Sequence, residues 1–295
     1  MKIFVGIILL FCLFVGSLFF FYSPEEEGID QWDGESYLAN AQLQEGWADK
    51  FFFQKHKFQG NEFVLDIGSG DGRLTARIAE QLPDGYVMGI DNSESMLSVA
   101  ERDWGEVENL AFHYQDAEDT NFYKKYEKRF DLVVSFTVLH LMKNQSLVLD
   151  GIHDVLKSHG TYYIRLCSKG GDPVQEIADQ MALSTTYQDY FTHFKDPMTR
   201  FSPEEYRMLL DLAGLDVQSL EDVEEKDKIV GKDKLIKQLK RWLPHYHFLK
   251  QKDEDLAETF MGDLVKRYLK KYPPQADDTI TLYDHYLEVV GSKVL

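Results

Sequence analysis

The sequence predicts an α/β chain, doubly wound around a mainly parallel sheet and carrying helical insertions. Two observations carry that prediction. From Phe63 onward short apolar runs alternate with helical patterns, and the first run leads into a glycine-rich turn, "DIGSGDGRL". Strands and helices alternating at this spacing imply a parallel sheet covered on both faces. The 295 residues are 44% hydrophobic and 14% aromatic, enough for a substantial core. The net charge of −18 disfavours nucleic acid as a partner, because no broad surface could neutralise phosphates. With only Cys12 and Cys167, neither a disulfide framework nor a cysteine-rich zinc site is expected.

The elements follow in order. Residues 3–22 form an uncharged apolar run of twenty, long enough to cross a bilayer as a helix. Residues 1–28 are therefore expected to be a membrane anchor or a signal segment with its linker, and 29–295 the catalytic domain. A single-segment anchor predicts a membrane-bound protein, with cleavage and export as the alternative; Lys2 favours a cytoplasmic N-terminus. Residues 35–55 have aliphatic and aromatic side chains at helical spacing. Strands are expected at 63–67, 86–90, 110–114, 130–136 and 161–166, and helices from near Gly72, Glu94, Asn144 and Pro203. Gly160 is placed where a helix should stop and a strand begin. Residues 173–202 read as a helical, aromatic-rich insertion. Helices are expected again over 232–242 and 253–272, before a closing β-rich strand or hairpin.

The glycine loop has the pattern Asp66-x-Gly68-x-Gly70-x-Gly72, with Ser69 between the first two glycines. A dinucleotide fingerprint would place its third glycine one residue later, and a phosphate loop would end in Gly-Lys-Ser/Thr. Asp66, at the strand end, would repel a pyrophosphate but suits a ligand with an ammonium group. Such a loop fits S-adenosylmethionine, and the glycines would allow positive φ and close approach of the ligand.

"VLDIGSGDGRLTARIAEQ" resembles motif I of the class I S-adenosylmethionine-dependent methyltransferases, and three further motifs follow in order. In "GYVMGIDNSESMLSVAE" the resemblance implies that Asp91 accepts the ribose hydroxyls, with Asn92 beside it and Met96 near the adenine and ribose. In "FHYQDAED" it implies that Asp116 receives the adenine amine and Ala117 offers its backbone. "FDLVVSFTVLHL" resembles the strand whose end faces the transferred methyl group, which makes His140 the candidate catalytic residue. The resemblance implies a seven-stranded, Rossmann-like methyltransferase fold and S-adenosylmethionine as cofactor.

Beyond the cofactor half, "WDGESYLANAQLQEGWADKFF" is similar to the N-terminal helix of the trans-aconitate and juvenile-hormone-acid methyltransferase group. There Tyr37 and Gln44 match cofactor-facing positions and Trp32 a substrate-facing one. The group's Leu-His-Trp at the fourth strand is Leu139-His140-Leu141 here. The implied reaction is O-methylation of a small-molecule or lipid-like carboxylic acid. Methylation of a quinone or other membrane lipid, or a non-catalytic tethered module, are the alternatives. A carboxylate is already nucleophilic at neutral pH, so no triad is needed; His140 would act as base only for a hydroxyl or amine. Arg165 and Arg200 are the candidates for carboxylate recognition by bidentate pairing. His245 and His247 ("HYH") are two histidines without a placed carboxylate, read as helix-flanking surface residues; no metal is expected. The expected partners are a small-molecule acceptor and, through residues 3–22, a membrane; no protein partner is expected.

Overall fold

The computed structural model describes residues 46–294. The apolar run 3–22, the linker after it, Trp32, Tyr37, Gln44 and the first part of the 35–55 helix lie outside the described residues. Seven strands form one sheet: β1 (Phe63–Ile67), β2 (Tyr86–Asp91), β3 (Leu110–Tyr114), β4 (Phe130–Phe136), β5 (Leu156–Cys167), β6 (Leu215–Val230) and β7 (Thr279–Lys293). Their spatial order is β3-β2-β1-β4-β5-β7-β6. The pairs from β3 through β5 are parallel, and β7 runs antiparallel to both β5 and β6. After β1 the chain builds outward through β2 and β3, then returns to place β4 on the other side. That reversal opens a crevice at the carboxyl ends of β1 and β4, where open α/β sheets bind ligands.

The inner strands are apolar along their length because helices cover both faces. On one face α1 (Arg73–Ala79) and α2 (Glu94–Trp104) join the segment Asp49–Phe53, burying Val64, Val87, Val134, Ile78, Leu97 and Phe52. On the other α3 (Thr120–Lys125), α4 (Gln145–Val155) and α6 (Pro203–Leu212) bury Ile67, Ile164, Val148, Ile152 and Tyr206. A further core joins α5 (Pro173–Ala182), α7 (Lys232–Trp242), α8 (Pro244–Lys250) and α9 (Glu254–Lys271) to the ends of β6 and β7 through Ile229, Ile280 and Leu282. Helix starts follow capping chemistry. Ser202 and Glu205 form a reciprocal capping box with Pro203 in the first turn of α6, and Asp172 caps α5 ahead of Pro173.

Several expectations are corrected. The membrane-anchored localisation, with its export alternative, does not stand. Among the described residues no helix is long and apolar enough to cross a membrane, and run 3–22 is not among them. β5 begins at Leu156, so Gly160 lies inside the strand, where Leu156 and the Asp131 carbonyl crowd it. Residues 183–193 form turns, so the helix of the 173–202 insertion ends at Ala182. β6 was not anticipated. It is an edge strand paired only with β7, and its run of acids and lysines has low β-propensity. Charge on an exposed edge discourages pairing with other chains, so here it marks a strand. His245 is not a surface residue: it is fully buried among Phe191, Phe194 and Phe260.

Candidate active site

The glycine loop crosses the carboxyl end of β1 with Gly68, Gly70 and Gly72 all at positive φ (77°, 54° and 74°). Two of these glycines also have steric reasons, and both lie within the protein. A Cβ on Gly68 would sit 2.5 Å from Val138 Cγ1, and one on Gly72 2.5 Å from Phe112 Cζ. Close approach of protein to protein therefore demands Gly68 and Gly72, while Gly70 has only the Met96 methyl near it, at 3.0 Å. The Gly68 and Ser69 amides donate to the Ile90 carbonyl at 2.8 and 3.0 Å, tying the loop to β2.

Asp66 is 2% exposed and accepts a 2.7 Å hydrogen bond from Thr75 Oγ1. Burial, opposed by that bond and reinforced by the Asp91 charge, pushes its carboxyl up to about 7. Asp66 lines a small cavity with Trp47, Ser69, Gly70, Leu74 and Phe136. Asp91, at the end of β2, accepts the Gly70 amide on Oδ2 and the Ser93 amide on Oδ1, both at 2.9 Å. Its carboxylate thus joins the loop to the start of α2, where Ser93 Oγ caps the Met96 amide at 3.1 Å. Met96 is buried and Asn92 exposed. Asp116 is exposed beyond β3 with Oδ1 on the Glu118 amide at 2.9 Å, and the buried Ala117 has its carbonyl on Tyr123 Oη at 2.6 Å.

The acceptor side is built differently from the sequence picture. His140 lies in a short helical turn after β4 and is 4% exposed, with the Cys167 amide donating to Nδ1 at 3.4 Å. Burial, with a smaller contribution from the Arg200 charge, lowers its imidazole to about 3. Arg165 is 1% exposed and ion-paired with Glu288 and with Glu225, the latter at 3.3 Å. Its guanidinium also stacks on Tyr286 (3.9 Å) and Trp47 (4.7 Å). Two carboxylates already match that charge. Arg200 Nη1 donates to Asp196 at 2.8 Å. Trp47, which lines the glycine-loop cavity, was missed by sequence reasoning. Trp47 stood among several aromatics at helical spacing over 35–55, and the fold shows that it meets the glycine loop.

The site fits S-adenosylmethionine on its own geometry. Ser69 Oγ is buried at the loop without a hydrogen-bond partner, and the buried Asp66 lines the same cavity. Asp91 ends β2 and Asp116 lies just beyond β3. A doubly wound sheet with these acids at successive strand ends defines a class I S-adenosylmethionine-dependent methyltransferase. The chain belongs to the methyltransferase family whose model, described as "Methyltransferase domain", matches residues 59–245. Juvenile hormone acid O-methyltransferase of Drosophila melanogaster is 27% identical over 213 residues, 70% of this chain and 70% of that protein. Demethylmenaquinone methyltransferase of Lactobacillus johnsonii is 31% identical over 148 residues, 50% of this chain and 60% of that one. Phosphoethanolamine N-methyltransferase 2 of Haemonchus contortus was solved with phosphomonomethylethanolamine and S-adenosylhomocysteine. It shares the fold at a TM-score of 0.56 and 18% identity, over 90% of this chain and 59% of that chain.

Proposed function

We propose that this methyltransferase O-methylates a small-molecule or lipid-like carboxylic acid. The observation that carries the reading is the burial of His140, 4% exposed with its Nδ1 facing the Cys167 amide. An imidazole lowered to about 3 by burial is a weak base, suited to an acceptor that arrives already ionised. The relative acting on juvenile hormone acid supports the same acceptor class. Bound S-adenosylmethionine supplies the methyl group on a sulfonium centre.

The residues of this chain then have these roles. Asp66 takes the ligand's ammonium group, and the loop around Ser69 and Gly70 holds the amino-acid end. Asp91 accepts the ribose hydroxyls beside Met96 and Asn92, and Asp116 with Ala117 faces the adenine. Neutral His140 orients the acceptor by hydrogen bonding. Arg200, whose charge reaches His140, faces the acceptor carboxylate. Catalysis rests on orientation and exclusion of water, which oriented groups supply at up to roughly 7–11 kcal/mol. The demethylmenaquinone relative supports a second reading, methylation of a quinol.

The test is methyl transfer from S-adenosylmethionine to di- and tricarboxylates, fatty and terpenoid acids, and quinols. Ester formation with an acid, and a raised KM for that acid in Arg200→Gln, is the expected result. Methylation of quinols with every acid inert would overturn the carboxylate reading.

A further inference from the structure

A second cavity, of about 570 Å³, is bounded by residues at the starts of β1, β4 and β5, the opposite end of β1 from the glycine loop. β1 is five residues long and separates the two by roughly 15 Å. The volume suits a small ligand. The wall is polar, and its acids are already engaged. Asp131 accepts two bonds from Lys157 Nζ, at 2.8 and 2.7 Å, and one from the Phe63 amide at 2.9 Å. Glu62 accepts the Gln59 and Gly60 amides at 2.6 and 2.8 Å. Three nitrogen-bearing side chains in the same wall are not engaged. Among the described residues, the Lys57 and His159 side chains have neither an ion pair nor a hydrogen bond. His56 Nε2 is buried with no hydrogen-bond partner, 3.9 Å from Glu62 Oε1.

We propose that this cavity is a second ligand site, distinct from the methyl-transfer site, for a small organic anion bearing a phosphate or carboxylate group. The balance of charge selects an anion. Asp131 and Glu62 are taken up by their own partners, so the uncommitted groups are the Lys57 ammonium and two imidazoles, in a chain whose net charge is −18. Burial holds the His56 imidazole below its ordinary value, against the pull of Glu62. His56 therefore offers a hydrogen bond and Lys57 the charge. An oxyanion has several oxygens and can take both. The cavity is far larger than a single phosphate group, which leaves room for an organic body. The site is independent of which acceptor is methylated.

The experiment is calorimetry of the full chain with inorganic phosphate, glycerol 3-phosphate and succinate, against sodium chloride at matched ionic strength. At least one of the three anions should give a saturable heat that chloride does not. A preference between glycerol 3-phosphate and succinate then identifies the head group. Lys57→Gln should weaken that anion about tenfold or more, the loss of a hydrogen bond to a charged group. His159→Asn should weaken it about threefold or more. Asparagine tolerates the left-handed backbone at this position, where φ is +64°. Urea midpoints should be unchanged in both variants, because both side chains are exposed. Arg200→Gln, on the acceptor side, should bind the anion as the unaltered chain does. Absence of a saturable heat with all three anions would overturn the proposal. So would unchanged affinity in either variant, or a loss that accompanies a lowered urea midpoint. A loss in Arg200→Gln equal to that in Lys57→Gln would put the anion in the acceptor site and overturn it as well.

Discussion

Replacing Asp66 with Asn should stabilise the folded chain above neutrality while weakening its hold on S-adenosylmethionine. Burial raises the Asp66 carboxyl from 3.8 to about 7. Such a group binds its proton more tightly folded than unfolded, so it favours folding at low pH, and that contribution is lost as pH rises from about 4 through 7. At about 1.4 kcal/mol per tenfold step, keeping Asp66 ionised at pH 8 costs the fold roughly 4 kcal/mol. Asn carries no charge, and its carbonyl can still accept the 2.7 Å bond from Thr75. The gain in Asp66→Asn should be near zero at pH 4 and reach roughly 2–4 kcal/mol at pH 8, allowing for a weaker bond to a neutral acceptor. Urea unfolding across that pH range reads it directly. Ligand affinity should move the other way. In the proposed role the ionised carboxylate pairs with the ammonium group, so unaltered protein should lose affinity below pH 7, by up to about tenfold per pH unit. The Asn variant should bind weakly and with little pH dependence. A variant no more stable at pH 8 than at pH 5, with flat wild-type affinity over the same interval, would refute both the raised carboxyl and its role.

Three further outcomes follow from the same geometry. Gly72→Ala should lose about 2–4 kcal/mol in denaturant unfolding, since φ is 74° and its Cβ would meet Phe112 at 2.5 Å; a loss below about 0.5 kcal/mol would mean the loop is softer than it looks. Arg165→Met should cost about 3–5 kcal/mol by leaving the Glu288 and Glu225 carboxylates without their cation, which a lowered urea midpoint would show. His140→Asn should slow methyl transfer without altering the shape of kcat against pH from 5 to 8, because the imidazole is already neutral there. Disappearance of an inflection near pH 6–7 in that variant would show that His140 works as a base.

The cofactor half of the site was legible because its residues are local in sequence and bound to strand ends. Asp66, the three glycines, Asp91 and Asp116 each lie at a switch from apolar run to turn, and periodicity found those runs at 63–67, 110–114 and 130–136 as the structure has them. The candidate acceptor residues were harder to read because partners distant along the chain decide their state. Arg165 looked like an anion-binding arginine until pairing placed Glu288 opposite it on β7. β6 hid because an edge strand needs only one packed face and tolerates charge on the rest.

The sequence by itself determined the fold class, the alternation of strands and helices through β5, and the identity of the methyl donor. Those depend on hydrophobic period and on turn residues a few positions apart. Only the tertiary structure decided how the charges are paired and which side chains line the glycine-loop cavity. Burial pushed the Asp66 carboxyl up to about 7 and the His140 imidazole down to about 3, Glu288 and Glu225 paired Arg165, and the fold brought Trp47 to the loop. Burial and pairing are properties of neighbours distant along the chain, and a local pattern holds no record of them.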